Sequence, residues 1–254
     1  DKINVEKMVT VGIKTFCRPN ALNETLKNIV NHHLQFNILI ADDSDNEFKQ
    51  QNKDIVNKYR HKNNIQILDM PFDSGLSSGR NLIVSKCKTK YLMILDDSRY
   101  FTNDLPILKM IKFLDNTNYD LFCGKIEKRR GIHKTYTCLF DSISKYENNN
   151  INITCKKLKK IKNNYFLNLF EKNIGLNAFI AKVDSLRNTK WRNKLKLQEH
   201  SVFFYDYYKK GYKCVFSPDI NFNQVDDKKR QYPKKYPFRG RQFLDNGFKI
   251  NINF

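Results

Sequence analysis

No apolar run in this chain of 254 residues approaches the roughly 20 residues that a membrane-spanning helix needs. The longest apolar stretches, such as Tyr91 to Leu95, have the length of a buried strand. There is no signal-peptide pattern, and the chain begins at Asp1 rather than Met, which leaves open an anchor or targeting segment beyond it. None of the six cysteines forms a C-x-x-C pair, which argues against a zinc ribbon or a thioredoxin-like centre. Cys17 and Cys87 stand in apolar or helical contexts, where a buried free thiol is expected. The five histidines show no metal-ligand spacing, and the adjacent His32 and His33 read as surface residues near a helix end. Glycine is scarce at 9, and the loop Ser74-Gly75-Leu76-Ser77-Ser78-Gly79 matches neither a P-loop nor a dinucleotide fingerprint. No internal repeat is present.

What is there is a globular composition, 40% hydrophobic and 13% aromatic, with a net charge of +20. That charge admits two readings: an anionic partner, nucleic acid included, or compositional drift in a chain rich in Lys and Asn. The basic residues are spread along the chain rather than gathered, which favours drift, and no nucleic-acid partner is expected.

The first 125 residues alternate strand and helix signals. Met8 to Phe16, Phe36 to Ala41, Ile65 to Met70 and Tyr91 to Leu95 read as buried strands. Helices are predicted from Pro19 through Val30, over Phe48 to Tyr59, and from about Ser78 to Cys87. Strands apolar throughout and separated by helices predict a mostly parallel central sheet covered on both faces, an α/β fold. In such sheets ligands bind beyond the carboxyl ends of the strands. Asp42-Asp43-Ser44 and Asp96-Asp97-Ser98 stand at two such ends, where carboxylates suit a metal–diphosphate pair or serve only as polar turns and caps. Arg80-Asn81, on the helix after the Gly- and Ser-rich loop, suits a phosphate or a base, or else a surface ion pair.

Further on, Ser142 to Asn164 reads as an exposed insertion or mobile loop. Asn177 to Val183 reads as a strand, Lys196 to Lys210 as a helix with Glu199 and His200 near its start, and Tyr212 to Ser217 as a late strand. The tail from Arg230 to Phe243 interleaves Tyr232 and Tyr236 with Lys234, Lys235, Arg239 and Arg241. It suits a lid over a diphosphate as well as a solvated tail.

VTVGIKTFCRP, ILIADDSD and MPFDSGLSSGRNLIVSKCKTKYLMILDDS, in that order, resemble family 2-like glycosyltransferases of the GT-A type. The likeness is greatest to the β-1,4-N-acetylgalactosaminyltransferase branch, which IGLNAFIAK, WRNKLKLQEHSVFF and CVFSPDINF also fit. The resemblance spans about residues 8 to 225, with about 127 to 170 poorly matched. It implies a Rossmann-like GT-A domain. Residues 1–125 would form the nucleotide-sugar-binding half, and residues 126–254 the acceptor-binding and catalytic half with a basic tail. The implied reaction is inverting transfer of a hexose or N-acetylhexosamine from a UDP-sugar to a glycan or glycoconjugate hydroxyl. The runner-up readings are a degenerate relative that binds nucleotide sugar without transfer, and a basic nucleic-acid-binding protein.

By position, the resemblance implies that Thr15 and Arg18 line the nucleotide pocket, Asp43 bonds the uracil and Arg80 contacts the nucleotide. Asp96 and Asp97 would serve ribose and metal–diphosphate, with Asp97 the ligand of Mn²⁺ or Mg²⁺. Asn177 would lie near the sugar or acceptor, and Glu199 would be the general base, with His200 the alternative base. Two departures bear on the metal: Ser98 stands where a third acid is expected, and Gln224 about where a histidine is, so that either Asp97 and the phosphates hold the ion nearly alone or basic side chains, the tail's among them, replace it. The compartment is open between the cytoplasm and a Golgi lumen reached with the anchor removed.

Overall fold

The computed structural model describes residues 5–128, 140–147, 150–166, 168–195, 199–226, 232 and 249–253. A short helix α1 (Val5–Met8) leads into β1 (Val9–Thr15), whose seven residues are all buried. The helix α2 (Pro19–Val30) follows, with Pro19 at its first position, where a missing N–H costs nothing. Then come β2 (Asn37–Asp42), α3 (Asn46–Tyr59), β3 (Asn64–Asp69), α4 (Gly75–Lys86) and β4 (Tyr91–Asp96). Asp45 caps α3, its side chain accepting from the Phe48 amide.

The short β5 (Arg99–Tyr100), α5 (Ile107–Asp115) and β6 (Leu121–Lys128) come next, then β7 (Phe140–Glu147) and β8 (Asn150–Lys157). After β9 (Lys159–Lys160) and β10 (Phe170–Lys172) come β11 (Ala178–Lys182), α6 (Val183–Thr189) and α7 (Glu199–Lys209). The last strands are β12 (Cys214–Gln224) and β13 (Lys249–Asn253).

The central sheet runs β3-β2-β1-β4-β11-β6-β12-β10-β9, with β5 on β12. β1 to β4 are parallel, as the apolar runs of β1, β2 and β4 predict. β11 enters antiparallel between β4 and β6, and β6 pairs with β12 in parallel. The segment expected to be an exposed or mobile loop is instead the β7–β8 antiparallel pair, with β13 added in parallel to β8. The cause is in the sequence: Asn150-Ile151-Asn152-Ile153-Thr154-Cys155 alternates polar and apolar with the period of a strand, beneath a Lys- and Asn-rich composition.

Strand parity sorts the core into two layers. Val9, Val11, Ile13, Met93 and Leu95 pack with Leu22, Leu26 and Ile29 of α2 and Met110 of α5. Leu92, Ile94, Leu39 and Ala41 pack with Ile83 and Val84 of α4, Leu186 of α6 and Phe203 of α7. The same parity, carried one residue further, decides where each strand-end acid points.

Helix α7 begins at Glu199; residues 196–198, expected as its first turn, lie outside the described residues. His32, expected at the surface, is buried and stacked on His33 with ring centroids 4.3 Å apart, and it also packs against Phe36 and Phe101. Cys17 and Cys87 are buried, as expected, and so are Cys123 and Cys214.

Candidate active site

The registers Thr15↔Asp42 and Lys14↔Asp96 bring the ends of β1, β2 and β4 to one edge of the sheet. The two acids that follow Leu95 emerge there on opposite faces. Asp97 turns toward α2. Thr15 Oγ1 donates to Asp97 Oδ2 at 2.9 Å, Arg18 Nε donates to the same oxygen at 3.2 Å, and Arg18 Nη2 pairs with Oδ1. Thr25 Oγ1 of α2 holds the Asp97 carbonyl at 2.8 Å. Asp97 is wholly buried, while the Arg18 side chain is 14% exposed. Burial pushes the Asp97 carboxyl above its ordinary range, against the pull of Arg18 and Thr15.

Asp96 turns toward α4. Arg80 Nη2 donates to Asp96 Oδ1 at 2.8 Å, and Arg80 Nη1 pairs with Glu199 Oε1. Arg80 therefore joins the end of a parallel strand to the first residue of α7. Burial works against the Asp96 charge, but Arg80, then Arg99, hold its carboxyl below the ordinary range. Arg80 is no surface ion pair: it is fully buried, and its guanidinium carbon lies 5.8 Å from the centre of the Trp191 ring. Among its own atoms, Nε has no hydrogen-bond partner. Glu199 is 2% exposed.

Asp43 lies on the same side as Asp96. Its carboxylate pairs with Lys14 Nζ and accepts from the Gly75 amide at 2.7 Å. Lys14 is the residue that sequence reasoning missed. A lysine inside an otherwise apolar strand must be paired or expelled, and that was the available signal. Gly79 makes room for it: a Cβ there would fall 2.2 Å from Lys14 Cδ. Gly75 makes the turn into α4 at φ 89°, a backbone conformation that favours glycine. Asp42 has a supporting role, accepting from the Ser44 amide and from Asn52 Nδ2, each at 2.9 Å.

The second half of the chain brings Asn177 and His200 together, with Asn177 Oδ1 and His200 Nδ1 2.8 Å apart. Burial, then Arg80, push His200 down to about 4, so its ring is neutral at pH 7. Gln224 stands opposite Arg99 in the β12–β5 pair, and the Val225 amide donates to the Ser98 carbonyl at 3.0 Å. Thus Ser98 and Gln224, far apart in sequence, are neighbours at the site. Of the basic tail only Tyr232 is among the described residues. Its ring lies 4.5 Å from the Arg18 guanidinium carbon and 6.3 Å from the Phe16 ring. Phe16 also meets Phe72 at 5.7 Å, an aromatic cluster that sequence reasoning passed over. Lys234, Lys235, Tyr236, Arg239 and Arg241 lie outside the described residues.

The same architecture occurs in known proteins. The chain is 29% identical over 209 residues to beta-1,4 N-acetylgalactosaminyltransferase 1 of Rattus norvegicus, covering 80% of this chain and 36% of that one. It thus spans about a third of that relative's length. Among solved structures, S. aureus TarS 1-349 in complex with UDP-GlcNAc superposes with a TM-score of 0.62 at 16% identity, covering 86% of this chain and 58% of that one. GalNAc-T7 with UDP, GalNAc and Mn²⁺ superposes at 0.65 with 13% identity, covering 89% and 44%. At these identities the superpositions speak for a GT-A fold alone. The signature of glycosyl transferase family 2 runs over residues 10–168, from β1 through the strand-end acids and beyond, and the chain belongs to that family.

Proposed function

We propose that this chain transfers a hexose or N-acetylhexosamine from a UDP-sugar to a hydroxyl of a glycan or glycoconjugate, with inversion. The observation that carries the proposal is the Asp96–Arg80–Glu199 chain, with Arg80 and Glu199 buried and Asp96 partly exposed, which ties the nucleotide edge of the sheet to a carboxylate on α7. Residues up to about 125 bind the nucleotide sugar and the remainder binds the acceptor. Thr15, Arg18, Asp43 and Arg80 surround the nucleotide, Asp96 and Asp97 the ribose and diphosphate, and Asn177 the sugar or acceptor. Relatives solved with UDP-GlcNAc and with UDP support the choice of donor.

In the reaction, the acceptor oxygen attacks the anomeric carbon as that carbon's bond to the diphosphate oxygen breaks. The electron pair leaves with UDP, and the acceptor proton passes to Glu199. His200, its Nδ1 on Asn177 Oδ1, is given the orienting role, with its Nε2 as the alternative base.

The fold implies a divalent ion, Mn²⁺ or Mg²⁺, with Asp97 as ligand. Such ions take several oxygen ligands, carboxylates foremost. Here Asp97 is engaged at both oxygens and Asp96 is paired with Arg80, while Ser98 and Gln224 are neutral. Among the described residues no group of three or more His, Cys, Asp or Glu could hold a metal. This donor set does not fit an ion held by the protein, and no step is routed through one.

Ser98 and Gln224 also favour a second reading, a relative that binds nucleotide sugar without transferring it. Two measurements test the proposal. UDP should raise the melting temperature more than GDP or CDP does, because a ligand specific to the native state stabilises it. Incubation with a panel of UDP-sugars and simple acceptors should then give a glycosylated product. Equal shifts from all three nucleotides would remove the uracil-reading role of Asp43, and UDP binding without product would select the second reading.

A further inference from the structure

We propose that Arg18 and Arg80 supply the positive charge for the departing diphosphate, in the place a divalent ion would take. The inference rests on the nucleotide-binding reading above and deepens it. At the edge where β1 and β4 end, three carboxylates stand, those of Asp96, Asp97 and Glu199. Each is already matched by a guanidinium, Arg80 serving two of them and Arg18 the third. A site that attracts a divalent ion needs negative charge in excess. Here two arginines cut that excess from three charges to one before any nucleotide arrives, Arg99 adds its charge near Asp96, and the two positions where further metal ligands are expected hold Ser98 and Gln224, joined through the Val225–Ser98 backbone bond.

The arginines are suited to the exchange. A guanidinium presents several N–H donors in a fixed fork and pairs with phosphate oxygens as readily as with carboxylate. The Arg80 Nε–H is buried and unpartnered, a donor left over after both carboxylates are served. Arg18 is the less buried of the two, at 14% exposed, and it stands at the N-cap of α2 just beyond the end of β1. As the glycosidic bond breaks, charge gathers on the leaving phosphate oxygen. Fixed guanidinium groups in a water-poor edge stabilise it without reorganisation. When the diphosphate takes a share of Arg80, Glu199 loses part of its ion pair and becomes free to accept the acceptor's proton. Base activation then follows donor binding.

Calorimetric titration of UDP into the whole chain, once in excess EDTA and once in saturating MnCl₂, decides the matter. The expected result is binding in both buffers with affinities within about threefold. Arg18→Gln should weaken UDP binding by about tenfold or more in EDTA, the scale of one charge-assisted hydrogen bond. Ser98→Asp combined with Gln224→His adds two metal ligands. This double variant should bind UDP at least about tenfold more tightly in MnCl₂ than in EDTA. Binding by the unaltered chain only in MnCl₂ would overturn the inference and leave the nucleotide reading standing. A double variant without any manganese response would overturn the role given to Ser98 and Gln224. Absence of UDP binding in both buffers would overturn the nucleotide reading itself, and the inference with it.

Discussion

The two halves of the molecule handle polarity in opposite ways. From β1 to β4 the sheet is parallel and covered on both faces, its inner strands carry apolar runs such as VTVGI and YLMIL, and at the ends of β1, β2 and β4 acids pair with the buried or nearly buried cations Lys14, Arg18 and Arg80. From β6 onward, strands are mixed or antiparallel, several are polar, and ion pairs such as Arg187–Asp184 sit in solvent. The difference shows how two-sided burial drives ions to a sheet's edge, where they must pair with one another or with a ligand. The catalytic proposal joins the two halves at one contact, Arg80 to Glu199.

The sharpest way to break that contrast is to remove a central cation. Arg80→Met leaves the buried Glu199 without its partner and the partly exposed Asp96 with only Arg99 near it, and should cost about 3–5 kcal/mol in urea unfolding. Removing Asp184 from its solvent-facing pair in the second half should cost less than about 1 kcal/mol. Similar losses from the two variants would contradict the description of buried and exposed ions.

Glycines sharpen the same comparison. Gly79→Ala puts a Cβ into the Lys14 side chain and should cost roughly 1–3 kcal/mol, the usual scale for overpacking, with Lys14 displaced from Asp43. Gly211, in the second half, has open space around it but a φ of 82°. Gly211→Ala should therefore cost about 1–2 kcal/mol through backbone strain alone. Gly79→Ala→Ser enlargement should worsen the first effect, whereas at Gly211 asparagine, which tolerates positive φ, should recover stability that alanine loses.

The smallest effect per unit measured is on acid stability, and each half contributes one group. His32 and His200 both titrate at about 4 in the fold, against an ordinary value near 6.5. Burial is the leading cause in each. His33 adds to the depression of His32 while Asp104 opposes it; Arg80 and Lys172 depress His200 while Asp96 opposes them. As pH falls the unfolded chain takes up these protons first. Stability should therefore be full above about 6.5 and decline toward 4, by at most about 1.4 kcal/mol per pH unit for each histidine. Unfolding midpoints measured across that window in the native chain and in His32→Phe should separate one share of the slope. An unchanged slope in the variant would mean that His32 carries none of it.

How much of this was legible in the sequence follows the same division. The parallel strands and their helices announce themselves through short apolar stretches and helical spacing, and β1, β2, β3 and β4 fall within a residue or so of the expected bounds. The β7–β8 pair was hidden because its apolar residues are thinly spread among Lys and Asn, so composition spoke louder than period. At the site, Asp96, Asp97, Arg80 and Glu199 could be named from their positions and the family resemblance. Their partners could not. Adjacent acids at a strand end must point to opposite faces, a consequence of strand parity that pairs Asp97 with Arg18 and Asp96 with Arg80 rather than placing both carboxylates around one ion. The Lys14–Asp43 pair joins neighbouring strands at the same edge and becomes visible only with the register.

The central claim is that the carboxylate at the start of α7 does the chemistry at an edge built by the parallel half. The direct measurement is turnover of a UDP-sugar by Glu199→Gln, read as product formed, alongside calorimetric UDP binding by the same variant. Glutamine keeps the size and hydrogen bonding of glutamate and removes its basicity. Turnover should fall by roughly 10²-fold or more while UDP binding persists. Near-normal turnover by Glu199→Gln, with product formation abolished in His200→Ala, would contradict the account and give the base to His200.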